Sequence, residues 1–337
     1  MRCFAAILTL LAVLPLGAAA EDFYAGKTVR LVIGSESGAS YDSYARIVAR
    51  HLPRHIPGGP SVVVQNMPAA GGLVAAAHLY NIAEKDGTVI GMVNRYAALA
   101  PIVGNPQARY RSEEFGWLGT AASFSDNAYL LIIRAALPYR TVEDLKRADP
   151  PLHIGASGSD MPAVLKQVLG LKFNLIEGYG KSDLDIAFER GEVDGETFAY
   201  ANLLARRPDW LEKRLARIMV QFGRRDRLPA LAEVPTAREL VRTEEDQALI
   251  ELTEAPLLMA YPFAMPPGVP AARAAILSKA FDETFADPAY AKEVVQRKLD
   301  NTPLGGATVQ ELVARMAKIP PAVIERYKSI VGNKTGG

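Results

Sequence analysis

The sequence predicts an α/β protein built as two lobes, and three observations carry that reading. Short apolar runs of strand length alternate with segments of helical period, and the alternation restarts near residue 128. At 337 residues the chain is also too long for one ordinary small core and suits two units of about 150 residues each.

The first twenty residues stand apart from both lobes. Met1-Arg2 gives a short basic start, Phe4 to Leu16 is almost wholly apolar, and Ala18-Ala19-Ala20 precedes Glu21 as an A-x-A cleavage pattern. The apolar run is shorter than the ~20 residues of a spanning helix. The expectation is a secretory signal peptide cleaved after Ala20, with a periplasmic product. Loss of Arg2 would reduce the 38 basic side chains to 37, equal to the 37 acidic ones. Such a balance offers no electrostatic case for nucleic acid. The one cysteine, Cys3, lies in the leader, so disulfides, thiolate metal sites and a cysteine nucleophile are excluded from the processed chain.

In chain order, "TVRLVIG" (28–34) reads as a buried strand, and the helix after it aligns Tyr41, Tyr44, Ala45, Val48 and Leu52 on one face. "SVVVQNM" is a second strand, "PAAGGLVAAAHLYNIA" a loop and small-residue helix, and "TVIGMVN" a third strand. Strands spaced by helices imply βαβ units in a mostly parallel sheet covered on both faces. The second round begins at "AYLLIIR" (128–134) and continues through "LHIGASGSDMPAVLKQVLG", where Met161, Val164, Leu165, Val168 and Leu169 form the apolar helix face and Pro162 suits the first turn. "FNLIEGYGKSDLDIAFERGEVDG" supplies a further strand and helix, with Ser182 and Asp185 spaced as a capping box and Gly191 as the stop. Read from these residues alone, the chain divides once, near residue 125. Ligands of open α/β sheets sit outside the carboxyl ends of strands, so loops 34–42, 94–96, 156–161 and 178–182 are the expected walls of a cleft.

Catalytic and metal signatures are weak in these loops. "GASGS" (155–159) approaches G-x-S-x-G, but Ser159 stands where the second glycine belongs. His153 reads as a partly buried strand residue. His51 and His55 have i, i+4 spacing, but Pro53 between them disfavours a regular helix, so no metal pair is expected. Gly34 and Gly38 lack the lysine-serine sequel of a P-loop and the spacing of a dinucleotide fingerprint. No cofactor is called for. What loop 34–42 does offer is donors at the mouth of a helix: Ser35, Ser37, Gly38 and Ser40 precede Tyr41 and Asp42, where amides and the helix dipole can meet a carboxylate. The plainer alternative is that Ser40 caps the helix and the glycines make the turn. Ser157, Gly158 and Ser159, followed by Asp160, would form a second donor set across a two-lobed cleft, with Tyr179 nearby.

The order and spacing of "FYAGKTVRLVIGSESGASYDSYARIVARHL", "VVVQNMPAAGGLVAA", "DGTVIGM", "LHIGASGS", "GEVDG", "LPALAEVPTARE" and "FAMPPGVPAARAAILSKAFDETFADPAY" resemble the substrate-binding proteins of tripartite tricarboxylate transporters, the Bug-type periplasmic receptors. The resemblance spans nearly the whole processed chain. It implies a two-domain periplasmic-binding-protein fold of the type II, Venus-flytrap kind, with crossing strands between the domains. One domain would be discontinuous, 21–124 plus 225–337, with 125–224 inserted. It also implies a monomeric, non-catalytic receptor that closes on a small carboxylate and hands it to membrane permease subunits. Two departures stand out. Glu36 and Ser37 replace smaller, neutral residues, and Asn94, Arg95 and Tyr96 replace the small polar residues that usually follow the third strand, which makes them candidates to set ligand choice. Glu36 is expected to turn outward, the alternative being a pairing with Arg95, Lys181 or a cationic group on the ligand. An exported α/β hydrolase and a ligand-reporting receptor for a sensor protein are the competing functional readings.

Overall fold

A computed structural model of the chain describes residues 22–124, 128–156, 160–179 and 181–332. The leader and the predicted donors Ser157, Gly158 and Ser159 lie outside the described residues.

Among the described residues there are two sheets. The first comprises β1 (Thr28–Ile33), β2 (Ser61–Asn66), β3 (Val89–Met92) and β4 (Gly116–Thr120). The second comprises β5 (Tyr129–Arg134), β6 (Leu152–Gly155), β7 (Phe173–Ile176), β8 (Gly195–Ala199) and β9 (Ala216–Phe222). The chain then returns to the first sheet with β10 (Pro262–Met265) and β11 (Leu304–Gly305), giving the orders β11-β4-β10-β3-β1-β2 and β7-β6-β8-β5-β9. A single cut near residue 125 therefore fails to separate the two sheets.

The expected mostly parallel pairing is corrected as well. β2, β1 and β3 are parallel, as are β7, β6 and β8, but β10 opposes both β3 and β4, and β5 opposes both β8 and β9. The chain path explains this. β5 is the first strand after the chain leaves the first sheet, and β10 is the first after it returns. Each is entered at the end where the parallel strands finish.

Burial of β1 shows why its residues read as a continuous apolar run. Leu31 and Ile33 join one core cluster with Tyr44, Ile47 and Val48 of the helix Ser40–His51. Val32, pointing to the opposite face, joins another with Leu73, Ala76 and Leu79 of the helix Leu73–Asn81. Both faces are covered by helices, as a parallel sheet requires. The carboxyl end of β1 is kept tight by glycine: Gly72 has φ +88°, and a Cβ there would lie 2.6 Å from the Gly34 carbonyl oxygen. On the second sheet the helix Lys181–Arg190 stops at Gly191, with φ +77°, where the sequence placed its end. The helix Met161–Leu169, with Pro162 in its first turn, packs on the helices Glu244–Leu258 and Pro321–Gly332, so the two sheets share a continuous core on one side.

The histidines take structural places. His153 lies on β6 as expected but is exposed rather than partly buried. His51, the last residue of the helix Ser40–His51, meets Glu293 at 2.7 Å, and His55, in the short 3-10 turn Leu52–His55, meets Asp287 at 3.2 Å. Among the described residues no cluster of three or more His, Cys, Asp or Glu could hold a metal ion.

Candidate functional site

Loop 34–42 is organised around Asp42. Its carboxylate, almost fully buried, accepts the Gly38 amide at 3.0 Å, the Arg46 Nε at 2.8 Å and the Asn66 Nδ2 at 2.9 Å, while the same Asn66 amide group also reaches the Ser35 carbonyl at 3.0 Å. Burial pushes the Asp42 pKa up, but the bonds from Arg46, Gly38 and Asn66 outweigh it and hold the group at about 2. This carboxylate builds the loop, and the Gly38 amide is engaged with it. Ser40 does not cap the helix, as the plainer reading had it. The N-cap is Ala39, no side chain caps the first turn, and Ser40 instead reaches the Tyr261 hydroxyl. The first-turn amides are thus left open beside Tyr261. Glu36, Ser37 and Gly38 are exposed, and among the described residues Glu36 has no ion-pair partner.

The cavity that opens between the two sheets has a volume of about 670 Å³. From the first sheet come Arg95, just past β3, and Tyr261, just before β10. Phe124 and Tyr129 flank the first crossing between the sheets. The second sheet contributes Ala156 after β6, Glu177 to Tyr179 after β7, and Phe198 and Ala199 at the end of β8. Asn202 and Arg206 extend this wall along the helix Tyr200–Arg206. These are the carboxyl ends of the parallel strands and the entry ends of the antiparallel ones, the position expected for a ligand in this architecture.

Arg95 is the chemical centre of the cavity. Its guanidinium carbon lies 5.5 Å from the Tyr96 ring centroid and 5.9 Å from that of Phe124. Its backbone amide donates to the Tyr41 hydroxyl at 3.1 Å, and that hydroxyl donates to the Ala260 carbonyl at 2.9 Å, so Tyr41 is a pedestal tying the end of β3 to the start of β10. Asn94 caps the short turn by accepting the Tyr96 amide at 2.8 Å. Burial works against the charge of Arg95, yet the oxygens of Tyr41, Tyr96, Tyr129 and Tyr261 hold its pKa above the usual range. Burial raises both Tyr96 and Tyr261 to about 12, so each keeps its proton as a donor at neutral pH. Among the described residues no carboxylate forms an ion pair with Arg95. A charge enclosed by rings without a counter-ion is costly, and an incoming anion would relieve that cost.

The second arginine differs. Arg206 donates to the fully buried Asp185 at 2.7 Å and is held by it. Asp185 is therefore more than the capping-box partner the spacing suggested. Of the residues singled out in the sequence, Arg95 and Tyr179 line the cavity, Tyr41 and Tyr96 support Arg95, and Ser40 touches Tyr261. Ser35, Glu36, Ser37, Gly38, Asp42 and Asn94 are not among its lining residues. Asp160 accepts the hydroxyl of Tyr327 from the helix Pro321–Gly332, a tie between the two sheet units. Sequence reasoning missed Phe124, Tyr129, Phe198, Asn202, Arg206 and Tyr261. The available signal was positional, since Tyr129 begins a strand and Tyr261 immediately precedes one.

A family model described as the tripartite tricarboxylate transporter family receptor matches residues 44–328. A TctC solute binding protein from Polaromonas, at 18% identity, superposes over 92% of this chain and 99% of its own with a TM-score of 0.70. MatC from Rhodopseudomonas palustris, solved with bound malate, does so at 19% identity over 90% of this chain and 99% of its own, with a TM-score of 0.58. A UPF0065 protein from the TAR-I ttuE-ttuC' intergenic region of Agrobacterium vitis is 27% identical over 196 residues, 54% of this chain and 54% of that protein. The chain thus spans about half the length of the curated relative it matches. The structural likenesses show two mixed α/β sheets of the periplasmic binding protein kind. No helix among the described residues is long and apolar enough to cross a membrane.

Proposed function

The chain belongs to the tripartite tricarboxylate transporter receptor family, and from that premise we propose that it is a periplasmic receptor that captures a small organic acid and delivers it to the membrane permease subunits of such a transporter. The observation that carries this reading is Arg95, an arginine without an acidic partner among the described residues, facing a cavity between two sheets. The malate bound to MatC supports the carboxylate class. We assign one lobe to 21–124 plus 225–337 and the other to 125–224, with the ligand between them. The Arg95 guanidinium pairs with the carboxylate, the Tyr96 and Tyr261 hydroxyls and the open first-turn amides at Ser40 and Tyr41 supply further donors, and the helix dipole adds to the attraction. Function here is binding and closure, with no bond made or broken.

A thermal-shift panel of benzoate, acetate, malate, adipate and citrate on the protein purified without its leader tests the reading. A binder at ~100 times its dissociation constant should stabilise the fold by about 2.7 kcal/mol. Binding to amines or sugars in parallel wells, with none of the acids shifting the transition, would sink the carboxylate assignment.

A further inference from the structure

Resting on that reading, we infer that the solute is an aromatic monocarboxylate, a planar ring carrying one carboxylate, rather than a small hydroxy-acid or a di- or tricarboxylate. The walls say so. Phe124, Tyr129, Tyr179 and Tyr261 line the cavity, drawn from both sheets and from the crossing between them. Phe198 backs this wall from within the core, fully buried against Trp210 with ring centroids 5.8 Å apart. Phe124 and Tyr129 stand 6.0 Å apart at 55°, presenting ring faces and edges at different angles. A ring inserted among them finds both stacked and edge-to-face partners, the arrangements aromatic pairs prefer.

The charges limit the ligand to one carboxylate. Among the described residues Arg95 has no acidic partner, whereas Arg206 is ion-paired with the buried Asp185. The remaining charged wall residue is Glu177, whose negative charge disfavours a second carboxylate near it. A compact hydroxy-acid such as malate would leave the rings of Phe124, Tyr129, Tyr179 and Tyr261 without an aromatic partner. The Arg95 guanidinium is itself bracketed by the Tyr96 and Phe124 rings. A carboxylate received there would set its attached ring against Tyr129 and Tyr261.

The test is calorimetric titration with benzoate, phenylacetate, adipate and malate. Benzoate or phenylacetate should bind at least tenfold tighter than either aliphatic acid. Phe124→Leu should weaken benzoate at least fivefold, and at least threefold more than it weakens adipate. If that variant does not fold, Tyr179→Leu, at a partly exposed wall position, makes the same test with the same expectation. Adipate or malate binding as tightly as benzoate, or equal losses for both classes in the variant, would overturn the aromatic assignment while leaving the carboxylate receptor standing. Binding of none of the four acids would remove the receptor reading and this inference with it.

Discussion

Three donors converge on the Asp42 carboxylate, and pH exposes what they contribute. With the folded group held at about 2 and an unfolded value near ~3.9, the contribution is fully present above pH ~4 and is lost as pH falls through the folded pKa. Asp42→Asn should therefore cost about 2 kcal/mol at pH 7, and urea unfolding should show wild type and variant converging between pH ~4 and ~2. A gap that stays constant across that window would mean the charge is not what stabilises the loop. Asp42 also shows the limit of reading single residues. Its position at a helix start suggested a ligand contact, but only the fold reveals that Asn66, 24 residues later in the chain, turns it into a loop brace. Arg95 was legible for the opposite reason. It sits just past a parallel strand, where its place in the cleft follows from topology without knowledge of any partner.

At the scale of elements, strands and helices were legible wherever periodicity was strong. β1 with helix Ser40–His51 and β6 with helix Met161–Leu169 emerged from local pattern alone. The pairing directions were not legible, because β5 and β10 take their sense from where the chain crosses between sheets, which no local window contains. For the same reason Tyr129 and Tyr261 went unnoticed as cavity walls. Close packing of elements is testable at the glycine pair. Gly72→Ala would place a methyl 2.6 Å from the Gly34 carbonyl in a left-handed backbone, whereas Gly71, with φ +61°, has open space around it. Chemical denaturation should show Gly72→Ala losing at least ~2 kcal/mol and Gly71→Ala about 1 kcal/mol. Equal losses would mean backbone conformation alone, not the approach of β1 to the helix Leu73–Asn81, demands glycine there.

For the whole molecule, two sheets between which the chain crosses and returns present their functional ends to a shared cavity, where Arg95 is the arginine without an acidic partner among the described residues. The sequence disclosed the two-lobed plan through its repeated strand-loop-helix pattern. The interleaving of the chain entered only with the family resemblance, since the return at 262–265 is a short apolar run like any other. Arg95 as the anion's partner is the central claim, because the other cavity arginine, Arg206, is ion-paired with Asp185. Calorimetric titration of wild type and Arg95→Gln with benzoate and with adipate is the most direct measurement. The variant should lose about 2 kcal/mol or more, at least ~30-fold in affinity, for whichever acid the wild type binds, with its unfolding transition little changed. An Arg95→Gln protein that binds the acid as tightly as wild type would contradict the account.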